Sequence, residues 1–291
     1  MINYIKSNLI TTTIFNLLKD KKKLKIIKHN KEMLKKLKIT KEDFEVYIIL
    51  KEFNDKYHLS KVDIDSKKIF LKGDVFNNEG FDYMNQIRFR DLIQINLYFY
   101  KELDLNKFAE LKYKDLKVLS LCGDEISDIN ALVKFDFPKL KTLVLGMNNI
   151  SDLNIFEKVN FKELIELHLY SNQIFDISIL EKVNFTKLKV LNLGGNNISD
   201  ITVLAKVNFK DLNTLALASN KISDINVLEK VNFKELKKLE LNNNQIKDIS
   251  VFAKTNFYKL TLLDLKGNLI VKENYSSVII KLKSTVKNLE I

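Results

Sequence analysis

A six-residue motif with leucine at its first, fourth and sixth positions (LxxLxL) recurs in this chain at a constant interval of 24 residues. A constant interval means that every copy adopts the same local structure and contacts its neighbours in the same way. The clear copies begin at Leu116, Leu140, Leu164, Leu188, Leu212, Leu236 and Leu260, a divergent copy at Leu92, and looser copies at Ser66 and Val286. Because one unit cannot bury its apolar side alone, we expect the units to stack around one elongated core.

The alternation inside the motif predicts a short strand in each repeat, whose positions we number from the first leucine. Leucines at positions 4 and 6 of a parallel strand point into the core, and the residue between them points to solvent. Asparagine follows at position 9 in six repeats, where its amide can donate to and accept from backbone groups of its own and the adjacent turn. We expect a structural ladder formed by Asn148, Asn172, Asn196, Asn220, Asn244 and Asn268. Tyr100 and Asp124 replace asparagine in the first two repeats, which should therefore be less regular.

Aspartate occupies position 13 in six consecutive repeats, from Asp128 to Asp248. A row of carboxylates raises the alternative of calcium binding. One carboxylate per repeat, however, does not supply the several converging oxygens that calcium requires. Each aspartate precedes a short run such as ITVLAK, so we expect it to act as a helix N-cap that accepts backbone N–H groups.

Two other residue types keep a fixed phase through the repeats. An aromatic residue, usually phenylalanine, ends the VNF run at position 22, and stacked rings predict a buried spine on the convex side. Lysine occupies position 19 from Lys134 to Lys254, with glutamates beside several copies. Phosphate binding is one interpretation of this row, but we expect a solvated surface row that protects the array.

These motifs resemble the LxxLxLxxNxI core of leucine-rich repeat proteins over residues 92–291, or 66–291 if the looser copies are counted. The resemblance implies an α/β solenoid, a right-handed horseshoe or arc with a parallel sheet on its concave face. At the usual strand spacing the array would be roughly 40 Å long. We predict a helical N-terminal region over 1–60 and the solenoid over 61–291, with clear repeats at 92–270 and a C-terminal cap at 271–291.

The N-terminal region has apolar residues at helix-like intervals. Covering the end of the solenoid is one role for it. The stretch ITTTIFNLLKDKKKLKIIKHN also resembles an F-box in its apolar positions Ile14, Phe15, Leu17, Leu18 and Leu24 through Ile27. That resemblance implies a substrate receptor of a ubiquitin ligase, with the ligase adaptor as a further partner.

The chain carries few residue types that perform catalysis. Its only histidines are His29, His58 and His168, and it has no Cys/His cluster, phosphate-binding glycine loop or nucleophile elbow. We therefore expect neither an enzyme nor a bound cofactor. The lone Cys122 rules out an internal disulfide and favours a cytoplasmic or nuclear location. No apolar run is long enough to span a membrane. The segment after Lys6 imitates a signal peptide, however, so a secreted internalin-like binder is an alternative.

The formal net charge of +11 is uneven, because residues 1–60 hold 14 lysines and 7 acidic residues. Arg88 and Arg90 are the only arginines, and abundant Lys, Ile and Asn are typical of an AT-rich genome. We therefore do not expect a nucleic-acid partner.

Function in a solenoid is expected where the repeats differ, on the strand face and its flanking turn. We predict a monomeric, non-catalytic module that binds a partner protein there. Exposed aromatic and flexible apolar groups are favoured at such interfaces. The candidate partner-binding residues are Met147, Glu166, His168, Tyr170, Asn192, Asn213, Lys238, Glu240, Asn242 and Asp264.

Overall fold

The structure is a computed structural model that describes residues 68–72, 93–98, 103–111, 113–255 and 257–291. The predicted helical region 1–60, its F-box resemblance and the boundary at residue 60 lie outside these residues.

The described residues form one parallel sheet whose ten strands lie in chain order. From β2 to β9 the paired residues are 24 positions apart, so that Leu143 lies beside Leu167 and Leu167 beside Leu191. This register places identical motif positions side by side. The strands are β1 (Lys68–Lys72), β2 (Gln94–Tyr98), β3 (Val118–Cys122), β4 (Thr142–Val144), β5 (Glu166–His168), β6 (Val190–Asn192), β7 (Thr214–Ala216), β8 (Lys238–Glu240), β9 (Leu262–Asp264) and β10 (Asn288–Glu290).

Short helices return the chain from one strand to the next. Helix α1 (Leu105–Ala109) precedes β3, and helix α2 (Ser276–Thr285) precedes β10. Val278 and Leu282 are the buried residues of α2 and lie one turn apart. Between β3 and α2 the returns are 3-10 helices, at Asn130–Lys134, Asn154–Glu157, Ser178–Glu181, Thr202–Ala205, Asn226–Glu229, Ser250–Ala253 and Lys272–Tyr275.

The core lies between the sheet and these return segments. From β2 to β9 the leucines at positions 4 and 6, such as Leu143 and Leu145, are at most 1% exposed. On the opposite side of the core the position-22 phenylalanines are buried from Phe137 to Phe233, and Phe257 is partly buried. The Phe185 ring also packs edge-to-face against Phe156, with ring centroids 5.8 Å apart. The predicted α/β solenoid with a parallel sheet is confirmed.

The asparagines at position 9 connect each turn to its neighbours. In Asn196 the Nδ2 donates to the carbonyls of Leu169 and Leu193 at 3.0 and 2.9 Å, and the Oδ1 accepts the Ile174 N–H at 3.1 Å. The other five asparagines bond in the same way. These asparagine side chains lie inside the solenoid. Each of their hydrogen bonds therefore satisfies a backbone N–H or carbonyl group that the strands leave unpaired.

The turn after each strand requires a left-handed backbone at position 8. The φ angle there lies between 52° and 76°, in Gly123, Met147, Ser171, Gly195, Ser219, Asn243 and Gly267. Glycine is the natural residue for this conformation, and a Cβ on Gly267 would lie 2.2 Å from the Asn243 Oδ1.

The prediction that the position-13 aspartates are helix N-caps is wrong by one residue. Each lies one residue before the N-cap and accepts the N–H of the first helical residue, as in Asp200 Oδ1 with the Thr202 N–H at 2.7 Å. The N-cap itself is the buried Ile201, which has no side-chain acceptor. The aspartate therefore forms an Asx turn that starts the return helix.

Replacing Asp200 by Asn should reduce stability in a pH-dependent way. The Thr202 backbone N–H and then its side chain hold the pKa of the Asp200 carboxyl below its ordinary value. A lowered folded-state pKa adds stability above the unfolded-state pKa, and this stability is lost as pH falls through the folded-state pKa. We expect D200N to lower the free energy of unfolding by about 0.5–1 kcal/mol at neutral pH, because the group is exposed, and by less at acidic pH.

Urea unfolding at neutral and acidic pH measures this difference. Asp211→Asn is the matched control, because the Asp211 side chain has no hydrogen bond or ion pair within the described residues. A D200N deficit that stays constant with pH would contradict the assigned role.

Candidate functional site

The solvent-facing side of the sheet, here called the sheet face, consists of positions 3, 5 and 7 of each repeat. Alternation along the strands directs these side chains away from the leucine core. Position 5 reads, from β2 to β10, Asn96, Ser120, Val144, His168, Asn192, Ala216, Glu240, Asp264 and Glu290. The constant register makes this a straight row of neighbours about 4.8 Å apart. Asn96 and Ser120 are buried, so the row is accessible to solvent only from Val144 onward, with Ala216 as a further buried position.

Tyr170 lies across the N-terminal part of the sheet face and does not project from it. A Cβ added to Gly146 would lie 2.4–2.7 Å from three atoms of the Tyr170 ring, so the ring occupies the space that glycine leaves. The Tyr170 hydroxyl reaches the Cys122 Sγ at 3.3 Å, two strands away. Tyr98, Cys122, Gly146 and Tyr170 all occupy position 7 of consecutive repeats. Tyr170 is thus a half-buried part of a pre-formed surface.

The Tyr170 phenol titrates above its ordinary range because of this packing. Partial burial, and next the hydrogen bond with Cys122, raise the pKa of Tyr170 to about 12. The side chain is therefore neutral at physiological pH, with its hydroxyl engaged by Cys122.

Glu166 and His168, both predicted candidates, come together on β5. The His168 Nε2 lies 3.6 Å from Glu166 Oε2, and the two groups form an ion pair when the imidazole is protonated. The same Glu166 oxygen accepts a hydrogen bond from the Thr142 hydroxyl on β4 at 3.3 Å. These contacts orient the carboxylate and make a polar patch beside Tyr170.

The C-terminal part of the sheet face is charged but internally paired. Lys238 Nζ lies 2.9 Å from Glu240 Oε1 on β8. Asp264 Oδ1 accepts the Lys266 N–H at 3.0 Å, and Lys266 Nζ pairs with Glu290 Oε2 at 2.8 Å. Asn242 lies beside this group at position 7, half-buried. Opposite charges in pairs leave this part polar with little net field.

Small residues separate the two parts. Ala216 at position 5 is almost fully buried, and Gly194 and Ala218 occupy position 7 of β6 and β7. The Asn192 Oδ1 accepts the Gly194 N–H at 3.0 Å, so this side chain is hydrogen-bonded to the backbone of its own repeat. The middle of the sheet face consequently has short, uncharged side chains and forms a shallow depression.

Two predicted residues lie off the sheet face. Met147 occupies the left-handed turn after β4 and is 48% exposed. Asn213 occupies position 2, before β7, where its Oδ1 accepts the Thr214 hydroxyl at 3.0 Å. Sequence reasoning missed Phe175, which is 64% exposed on the turn side of the array. The sequence could have indicated Phe175, because position 12 is serine in four neighbouring repeats and phenylalanine departs from that pattern.

Substituting Gly146 by Ala should release Tyr170. The new Cβ cannot coexist with the ring, so we expect the ring to swing outward, to lose Cys122 and to titrate closer to the ordinary value of tyrosine. The tyrosinate absorbance of each protein at alkaline pH, minus that of its Tyr170→Phe derivative, measures the Tyr170 titration. Gly194→Ala is the control, because a Cβ there comes no closer than 3.4 Å to its neighbours. An unchanged Tyr170 titration in G146A would contradict the packing described.

Other kinds of site have no representative in the described residues. No group of three or more His, Cys, Asp or Glu side chains there is arranged to hold a metal ion. Within the same residues, no helix has the length and apolar character needed to cross a bilayer.

Comparisons with known proteins agree with this architecture. Two overlapping matches to the family model Leucine Rich repeats (2 copies) cover residues 162–206 and 186–230. Internalin C2 from Listeria monocytogenes is 28% identical; the match covers 75% of this chain and 92% of that chain, with a TM-score of 0.54. InlP from Listeria monocytogenes is 16% identical over 78% and 66% of the chains, with a TM-score of 0.56. A leucine-rich repeat protein from Leptospira interrogans is 19% identical over 75% and 63%, with a TM-score of 0.52. No curated protein matches the chain significantly.

A parallel sheet in chain order, short return helices and an internal asparagine ladder define a repeat solenoid. The family match over residues 162–230 and the structural likeness identify the fold of the described residues as a leucine-rich repeat solenoid. Solenoids of this kind present extended surfaces on which other proteins bind.

Proposed function

We propose that this protein is a non-catalytic interaction module that binds a partner protein on the sheet face, which we take to be the concave side of the solenoid. The observation that carries the proposal is the contrast between core and face. Positions 4 and 6 are leucine or isoleucine in every repeat from β2 to β9, whereas position 5 changes from strand to strand. A surface of constant shape with changing chemistry serves recognition.

The chemistry of the sheet face supports binding of a folded protein surface or an ordered peptide. Tyr170, held against Gly146 and Cys122, provides a rigid aromatic surface with little conformational entropy left to lose on binding. The Thr142–Glu166–His168 patch provides polar groups beside it. The low centre at Ala216 leaves room for a protruding side chain of the partner. An aromatic contact flanked by hydrogen-bonding groups is the usual composition of an interface centre.

Site-directed photo-crosslinking tests the proposal in cells that produce the protein naturally. A photoreactive amino acid replaces His168 on the sheet face, or Lys158 on the convex side as the matched control. We expect a discrete crosslinked partner from position 168 that is absent from position 158. We also expect Glu166→Ala with Thr142→Ala to reduce that product several-fold. The same products from both positions would reject the sheet face as the binding surface.

A second candidate function is that of an exported, internalin-like binder, which the 28% identity with internalin C2 favours. The two proposals share the sheet face and differ in location. Fractionation of the native cells distinguishes them. An exported protein accumulates at the cell surface or in the medium, whereas an interaction module that is not exported stays in the cytoplasm. The F-box-like substrate receptor would place the protein in the cytoplasm or nucleus and would require co-purification with a ligase adaptor.

A further inference from the structure

The two sides of the repeat array that flank the sheet face carry opposite charge. The turns that lead into the strands, at positions 23, 24, 1 and 2, form what we call the basic edge. Seven such turns, from 114–117 to 258–261, contain eleven lysines and four acidic residues, a net charge of +7. The turns that follow the strands, at positions 8 to 13 in the six repeats from 123–128 to 243–248, contain eight acidic residues and two lysines, a net charge of −6.

Most of the positive charge on the basic edge is not neutralised within the protein. Lys187 pairs with Glu163 and Lys259 with Glu235, each at 2.6 Å. Lys139 pairs with Asp115, and Lys114 pairs with Asp136 outside the edge. Seven other lysines are exposed and form no ion pair within the described part of the chain. They are Lys117, Lys141, Lys162, Lys189, Lys210, Lys234 and Lys237.

The register of the sheet holds these lysines in rows. The N–H groups of Lys141 and Thr142 both donate to the Lys117 carbonyl, at 2.8 and 3.0 Å, so position-2 residues of adjacent repeats are direct neighbours. Position 2, the residue directly before each strand, is lysine ahead of β3, β4, β6 and β8, and Ile165 and Asn213 precede β5 and β7. With strands about 4.8 Å apart, the later lysines of this row are about 10 Å apart. Like charges held in register repel one another, and an anionic partner relieves that repulsion.

We propose that the basic edge is a docking surface for a protein that presents clustered carboxylates. This surface is distinct from the sheet face of the proposed function. A negative partner is attracted to this edge and repelled by the opposite one, so the charge asymmetry orients the encounter as well as accelerating it.

A protein partner fits the edge better than a nucleic acid does. Carboxylates interrupt the lysines of this edge, since position 24 is acidic at Glu163, Asp211 and Glu235. A continuous phosphate backbone would pass directly over these carboxylates, whereas carboxylates on a protein surface can be spaced to avoid them. The described edge also contains no arginine and only one strongly exposed aromatic ring, Tyr258, for stacking on bases.

Binding of a fluorescent peptide of alternating glutamate and serine to the full chain tests the proposal. The edge variant carries Lys141→Gln, Lys189→Gln and Lys237→Gln. The control variant carries Lys158→Gln, Lys182→Gln and Lys230→Gln, which remove the same charge from the convex side. We expect the edge variant to weaken binding about tenfold and the control by less than about threefold, with both differences shrinking at high salt.

Three results would overturn the proposal. The first is an equal loss of affinity in both variants, which would make binding a property of net charge alone. The second is tighter binding of single-stranded oligothymidylate or of phosphatidylserine vesicles than of the acidic peptide, with the same dependence on the edge lysines. The third is self-association in sedimentation that the edge variant alone abolishes, without peptide binding, which would make the acidic edge of a second copy the occupant.

Discussion

Asn196→Ala is expected to lower the free energy of unfolding by about 2–5 kcal/mol, a large fraction of the stability of an ordinary domain. The Ile174 N–H loses the one acceptor that it has among the described residues and stays buried without a partner there. The carbonyls of Leu169 and Leu193 each lose one of two donors, because Asn172 and Asn220 still serve them. The unpaired N–H accounts for most of the expected loss, since a buried donor without a partner keeps its full desolvation cost.

Asn197→Ala is the matched control, because it removes the same amide from the next residue. The Asn197 side chain forms no hydrogen bond within the described residues, and its backbone N–H donation to Ile174 is unaffected by the substitution. We expect a change within about 0.5 kcal/mol. Chemical denaturation followed by far-ultraviolet circular dichroism measures both variants. Equal free energies of unfolding for N196A and N197A would contradict the stabilising role of the asparagine ladder.

Phe185→Ala is expected to cost about 3–5 kcal/mol, through lost burial and the cavity that remains. The Phe185 side chain is 2% exposed and packs edge-to-face on Phe156 of the preceding return helix. Its loss therefore weakens the contact between two adjacent repeats. Because each repeat contacts only its neighbours, we expect the middle of the array to lose hydrogen-exchange protection more than its ends.

Phe175→Ala provides the comparison for this prediction. It removes the same ring ten residues earlier in the chain, from a side chain that is 64% exposed. We expect its stability to stay within about 0.5 kcal/mol of the original. A loss in F185A as small as that expected for F175A would mean that the position-22 rings do not form the convex part of the core.

The strands and the core were predictable because the residue pattern and the fixed length of the repeat together specify the local structure and the pairing. Leucine at positions 4 and 6 with a variable residue between them specifies a strand with one apolar side, and the fixed interval specifies the pairing of Leu167 with Leu191. The last unit departs from this regularity. Leu263 pairs with Leu289, which is 26 residues away, because helix α2 follows the 3-10 helix Lys272–Tyr275 in this return and lengthens it.

The details of the candidate site were less predictable, because they depend on contacts between repeats. The sequence indicates Tyr170 as an exposed aromatic, but its direction depends on the missing side chain of Gly146 and on the sulfur of Cys122. Asp200 was identified as a backbone acceptor, yet its position relative to the helix start could be fixed only by the observed bond to Thr202. Side-chain direction and helix boundaries depend on neighbouring structure more than on local composition.

The unchanging register between β2 and β9 also makes the array extensible. Removing or duplicating one 24-residue unit between these strands would leave the remaining leucines, asparagines and turns matched to new neighbours of the same kind. The tyrosine-bearing and the charged parts of the sheet would then move closer or further apart in steps of about 4.8 Å. The distance between these two parts of the sheet face can therefore change by whole repeats while each part keeps its own structure.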